Sequence, residues 1–186
     1  MTIPAFDHNL VLPPHIGNPA EGSHFVSPYP STTIDLVERF ATTSERVQIL
    51  IGFLNFRSRL HHFGLLRGFQ WLDGSFLEDI EQQENRAPRD LDLITMYWGY
   101  DYNFQEGLIL NLPEFNNRDL AKHNFMLDHF GFDAGVEPYI IIEFTRYWVQ
   151  LFTHNRSQVW KGMIRIELNT PSEDAFALQS LQNLKL

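Results

Sequence analysis

Two short runs carry the side chains that could do chemistry: Asp73-Gly74-Ser75, closing one apolar stretch, and Asp90-Leu91-Asp92, opening the next. On a strand, residues two apart share a face, so Asp90 and Asp92 present two carboxylates on one side, with Leu91 and Leu93 on the other. Like charges on alternate positions of an apolar strand repel, and burying them is costly without a counter-ion. A hard divalent cation with oxygen ligands, Mg²⁺ above all, supplies one. A Gly-Ser turn after a buried strand leaves backbone N–H groups and a hydroxyl free at a helix start, a seat for a phosphate. Either run alone also reads as an ordinary turn or as solvated strand-end charge. Their combination points to a metal-bound phosphate.

The elements that must position these groups follow from periodicity. Gly68 to Phe76 reads as strand, tight turn and short helix, Phe76 to Arg89 as a polar insert, and residues 91–98 as a second strand. Phe125 to Asp133 is a further apolar segment. As a strand it places Asp128 on one face with Met126 and Phe130, an acidic residue where an apolar one is expected. Asp133, before Ala134-Gly135, looks more like a turn residue.

Upstream, residues 1–30 hold six of the ten prolines and read as an extended, irregular arm wrapping the body. Thr32 or Thr33 can cap a short helix through Phe40, and Thr42-Thr43-Ser44-Glu45 fits a capping box. The long helix that follows carries Val47, Leu50, Ile51, Leu54 and Ser58 on one face, stops at Gly64 and should pack across the sheet. Arg57, Arg59, His61 and His62 near its end could approach a phosphate, but a solvated helix end is the simpler reading. Residues 99–121 have no clean period. Tyr97, Trp98, Tyr100, Tyr102 and Phe104 could stack on a base, although core or sheet-edge packing is the plainer role. Asp119 to Lys122 reads as the end of a short helical piece.

Ile140 to Phe152 reads as a buried helix, His154 to Ser157 as a turn, and Met163 to Leu168 as a last strand alternating Ile164 and Ile166 with Arg165 and Glu167. From Asn169 a tail (169–186) offers Ser172 as a cap and Ala175, Leu178, Leu181 and Leu184 for a weak amphipathic helix, read as frayed. Residues 31–168 are then the folded domain.

Asp73, Gly74 and Ser75, followed after a spacer by Asp90, Leu91, Asp92 and Leu93, resemble the signature of the DNA polymerase beta-type nucleotidyltransferase superfamily. The spacer, Phe76 to Arg89, holds fourteen residues, at or slightly beyond the usual upper length; a surface insertion of that kind costs little. Ile3 to Phe6 with Leu10 to Pro14, and Tyr147 through Phe152 to Lys161 and Leu168, are similar to a small bacterial branch of that superfamily. Together the similarity spans most of residues 3–168.

The resemblance implies an α/β (α+β) fold, a small mixed sheet backed by helices. It also implies a transfer of NMP from an NTP, such as ATP, to an acceptor hydroxyl. Asp90 and Asp92 would hold Mg²⁺ or Mn²⁺, Asp128 would be the third carboxylate with Asp133 as its rival, and Gly74 and Ser75 would bind the phosphates. By analogy, a protein target in a toxin–antitoxin or phage-defence setting follows.

Composition bounds the alternatives. A chain of 186 residues at 44% hydrophobic content can bury one substantial core. The absence of cysteine excludes disulfides and thiolate metal sites. No basic leader and no run of membrane-span length is present, from which a cytoplasmic protein is expected. A net charge of −9 disfavours broad nucleic-acid binding, yet suits a metal-complexed nucleotide, which brings its own cations, or a basic protein partner. No Walker loop, dinucleotide fingerprint, His-Glu-x-x-His or nucleophile elbow occurs, and the spacing of the eight histidines does not support a metal site.

Two rival readings remain: a nucleotidyltransferase-like module that binds a nucleotide or protein without turnover, and a structural protein with an accidental motif. The last predicts Asp90 and Asp92 apart from Gly74-Ser75 or paired with Arg or Lys. The enzyme reading requires all of them to converge in an open cleft.

Overall fold

Apolar runs with strand periodicity assemble into one five-stranded sheet in the computed structural model, which describes residues 3–184. The strands are Tyr29–Pro30 (β1), Gly68–Asp73 (β2), Leu91–Tyr97 (β3), Leu127–Asp133 (β4) and Ile164–Glu167 (β5), in spatial order β1-β5-β2-β3-β4. β2 is antiparallel to β3 and β5, whereas β3 is parallel to β4 and β1 to β5, so the sheet is mixed. With seven α-helices among the described residues packed around it, the fold is of the expected α+β class.

Side chains of alternate parity divide the sheet into two faces. Leu72, Leu91, Leu93, Leu127, Ile164 and Ile166 point to the main core, where they meet Thr33–Phe40 (α1), Ser44–Phe63 (α2), Arg118–Phe125 (α5) and Pro171–Asn183 (α7). Trp71, Ile94 and Met96 point to the other face, where Pro138–Phe152 (α6) lays Phe144, Trp148 and Phe152 against them. α1 and α2 start where the hydroxyls foretell, but the capping box forms at α1 and not at Thr42–Glu45, and Ser172 lies inside α7 instead of capping it. Thr32 and Asp35 form a capping box for α1, Thr43 caps α2, and Gly64 ends α2 at φ +92°.

Several expectations change. α2 buries a broader face than expected, including Ile49, Phe53, Phe56 and Leu60, while the predicted face residue Ser58 is exposed. Arg57 is fully buried rather than solvated, and His61 contacts the Leu168 carbonyl, so neither reaches toward a phosphate. The aperiodic stretch after β3 folds as Tyr102–Asn111 (α4) and α5, and Asp119 to Lys122 open α5 rather than ending a helix.

α6 is not a buried helix: Tyr139, Ile140, Ile142, Tyr147 and Leu151 are exposed. It covers the second face of the sheet from one side only. Within the described residues, the tail is not frayed. α7 packs on α1 and α2 through Asp174, Ala177 and Leu181, leaving Ala175 and Leu184 outside. The Pro-rich arm does wrap the body, burying Ile3, Val11 and Leu12 and contributing β1. Among the described residues, no helix is long and apolar enough to cross a membrane.

A chain of buried polar contacts crosses the main core. Asp174 on α7 accepts from Arg57 Nε at 2.6 Å, and Arg57 Nη1 donates to Gln70 on β2 at 2.6 Å. Gln70 Nε2 donates to Thr95 Oγ1 on β3 at 2.9 Å, which lies 2.8 Å from His129 Nε2 on β4. Thr95 Oγ1, with one hydrogen and two lone pairs, can accept from Gln70 and still pair with His129 Nε2 in either direction. Burial pushes the His129 imidazole down to about 3.

Two outcomes follow. Asp174→Ala leaves Arg57 as an unpaired buried charge and should cost about 3–5 kcal/mol in denaturant unfolding. His129, neutral when folded, has a depressed pKa, so its contribution is complete above the unfolded value near 6.5 and is lost as pH falls from there toward 3. His129→Leu should be less stable than wild type at pH 7 by about 1–3 kcal/mol, with the gap closing by pH 4. A gap independent of pH would contradict the neutral, buried imidazole.

Candidate functional site

The strand register brings the acidic groups together. Asp73, the last residue of β2, pairs with Asp92 on β3, and Asp92 pairs with Asp128 on β4. All three lie on the sheet face away from the main core, and Asp90, one residue before β3, shares their side. One ligand oxygen from each of Asp90, Asp92 and Asp128 lies within 4.8 Å of the others. Asp133 is at the far end of β4, where it accepts hydrogen bonds from Gln105 and the Gly135 amide. Geometry thus brings Asp128, not Asp133, to the pair.

The Gly74-Ser75 turn abuts the same cluster. After Asp73 the chain turns at Gly74 (φ +85°) into a 3₁₀ turn, Ser75–Leu77, which no side chain caps. A Cβ on Gly74 would lie 2.2 Å from Asp92 Oδ2, so only glycine lets the turn sit against that carboxylate. The first amides of such a turn have no partner within it, and Ser75 borders the cleft.

Beneath the turn is a residue that sequence reasoning did not single out. Lys161, almost wholly buried, places Nζ 2.9 Å from Asp73, 2.8 Å from Glu78 and 3.1 Å from the Gly74 carbonyl. Burial alone would lower its pKa, but Asp73 and Glu78 outweigh this and raise it, so Lys161 stays charged. Burial raises the Asp73 carboxyl against the pull of Lys161. The available signal was a lone Lys in the apolar run before β5.

Charge on the open side is unevenly compensated. Arg118 grips both oxygens of Asp128 at 2.5 Å, and Lys122 Nζ lies 2.8 Å from Asp128 and 3.2 Å from Asp90. These cations overcome the effect of burial and hold the Asp128 carboxyl below the usual range. Asp92 has no ion-pair partner among the described residues. Burial, with Asp90, Asp73 and Asp128 around it, pushes its carboxyl up to about 7, with Lys161 only partly opposing this.

Three oxygen donors, one of them starved of positive charge, suit a hard divalent cation. The expectation for an accidental motif is met in part, since Asp90 is paired with Lys122, but Asp90 and Asp92 are not separated from Gly74-Ser75. All converge in a cleft of about 680 Å³.

The far wall of that cleft is apolar and comes from α6: Tyr147, Trp148, Leu151 and Phe152, with Phe130 of β4 beside them. The aromatics proposed from sequence for stacking do not contribute. Tyr97 is buried in the main core, and Tyr100 stacks on Phe104 and accepts from the Leu66 and Arg67 amides.

Lys161→Met would leave Asp73 and Glu78 buried without their counter-ion. The expected loss is about 3–5 kcal/mol by chemical denaturation. A change below about 1 kcal/mol would show that Lys161 does not hold the turn.

No curated protein and no solved structure matches the chain. Residues 4–167 match a family of unknown function, DUF6932, from the Pro-rich arm through β5. Since that match takes in the turn, all four aspartates and Lys161, and spans most of the sequence, the chain belongs to the DUF6932 family.

Proposed function

We propose that this protein is a metal-dependent nucleotidyltransferase that moves an NMP from an NTP, ATP in the first instance, to an acceptor hydroxyl. The observation that carries the reading is the convergence of a glycine-dependent turn and three carboxylates from adjacent strands in one open cleft. Ser75 and the amides of Gly74 and Ser75 would orient the phosphate tail. Asp90, Asp92 and Asp128 would hold Mg²⁺ or Mn²⁺, which when bound neutralises phosphate charge and stabilises the attacking and leaving oxygens as pyrophosphate departs. Asp128, at the β4 side of the cluster, would favour deprotonation of the acceptor hydroxyl. Tyr147 on the α6 wall, exposed at the cleft, offers aromatic surface to a base.

Acidic balance supports a protein acceptor over RNA, and a cytoplasmic toxin–antitoxin or phage-defence partner is consistent with that chemistry. One observation favours a second reading, a module that binds nucleotide or protein without turnover: two of the three carboxylates are already engaged by Arg118 and Lys122.

Incubation of the purified protein with its operon neighbour and labelled NTPs in Mg²⁺ or Mn²⁺ separates the two. Label should appear on the partner and fall by at least about 10³-fold in Asp90→Ala plus Asp92→Ala, the scale of losing metal-borne charge stabilisation. Label that survives the double substitution would refute the enzyme. Metal-dependent nucleotide binding without incorporation would establish the module.

A further inference from the structure

Arg118 and Lys122 have no task in the transfer described above, yet they occupy the centre of the site. They lie four residues apart on α5 and so leave the same helix face, and both border the cleft. Lys122 Nζ bridges Asp90 and Asp128 at 3.2 and 2.8 Å, where the carboxylate oxygens converge. An ammonium held between two carboxylates in this way is a monovalent stand-in for a cation of higher charge. It cannot remain once those oxygens ligate a divalent ion, because the two cations would compete for the same lone pairs and repel each other.

Nor is the pairing built to be permanent. The Lys122 and Arg118 side chains are 40% and 52% exposed, so although Asp128 is buried, both cations have open solvent to swing into when its oxygens are claimed. Contrast Lys161, whose ammonium is 2% exposed and is enclosed by Asp73 and Glu78. A displaced Arg118 and Lys122 would leave two cations at the mouth of a cleft that also holds the Gly74-Ser75 turn. The ligand that two such cations would accept, one with a planar fork and one a point charge, is a phosphoryl oxyanion.

Resting on the nucleotidyltransferase reading, we propose that Arg118 and Lys122 form a phosphoryl clamp held on Asp90 and Asp128 until metal and polyphosphate arrive. A divalent ion then binds weakly alone and tightly with a phosphate-bearing ligand that takes up the freed cations. Linkage makes the coupling reciprocal. The two positions are specificity and positioning residues, distinct from the carboxylates they cover.

The test is calorimetric titration of Mn²⁺ into the full-length protein and its Lys122→Gln, Lys122→Arg and Arg118→Gln variants. Preformed Mn²⁺ complexes of ATP and of pyrophosphate, and adenosine, are then titrated separately. Lys122→Gln should bind Mn²⁺ alone about tenfold more tightly than wild type, within the usual span of coupling between sites. Lys122→Arg, which keeps the charge, should not. Both Lys122→Gln and Arg118→Gln should bind the Mn²⁺ complexes of ATP and pyrophosphate more weakly than wild type.

A gain in metal affinity cannot arise from a misfolded variant. Weaker binding of both complexes assigns the clamp to phosphoryl oxygens whatever their source; weaker binding of the ATP complex alone assigns it to the nucleotide. If Lys122→Gln binds Mn²⁺ no more tightly than wild type, the clamp is overturned while the metal site stands. Adenosine binding weakened as much as ATP binding would likewise overturn it. If Mn²⁺ binds to none of these proteins, alone or complexed, the nucleotidyltransferase reading falls with it.

Discussion

Asp73, Asp92 and Asp128 stand abreast on three neighbouring strands because the register pairs the first with the second and the second with the third. At the strand spacing of about 4.8 Å, three carboxylates facing the same way repel one another strongly, and partial burial makes the repulsion worse. Three cations answer that constraint. Lys161 neutralises the Asp73 side from below, and Arg118 and Lys122 neutralise the Asp128 side from above. The middle carboxylate, Asp92, has no ion-pair partner among the described residues.

That register is held from the opposite face of the same strands. Gln70, Thr95 and His129 sit on β2, β3 and β4 and join Arg57 and Asp174 in one buried hydrogen-bonded chain. A slip of β3 by a single residue would turn Thr95 out of the chain and Asp92 into the apolar core. Such polar contacts in a low-dielectric interior reward one pairing and penalise its neighbours. The tail helix α7 belongs to this device through Asp174, although its apolar pattern is faint.

The local part of this was legible in the sequence. Caps at Thr32 and Thr43, the stop at Gly64 and the turn at Gly74 announce themselves by residue type, and two aspartates in an apolar strand announce a need for cations. Asp128 was readable for the same reason, as a charge on a face that should be apolar. What escaped was long-range pairing. Nothing near Arg57 in the chain signals that Asp174 will neutralise it, so a buried arginine reads as a solvated one. Lys161 reads as one charge in an apolar run until β5 is placed beside β2. α6 misleads in the other direction, since Ile140, Ile142 and Leu151 are as apolar as core residues but lie outside.

The exposed wall formed by α6 separates what lines the cleft from what holds the sheet. α6 meets the sheet through a small apolar cluster of its own, Trp71, Ile94, Met96, Trp148, Phe152 and Met163, separate from the main core beneath the other face. Residues such as Tyr147 and Leu151 therefore border the cleft without carrying the fold. Substitution there alters what the cleft admits at little cost in stability, whereas the acidic floor is tied to strand register on both faces. What lines the cleft can therefore vary along one helix while its acidic end stays fixed by strand register.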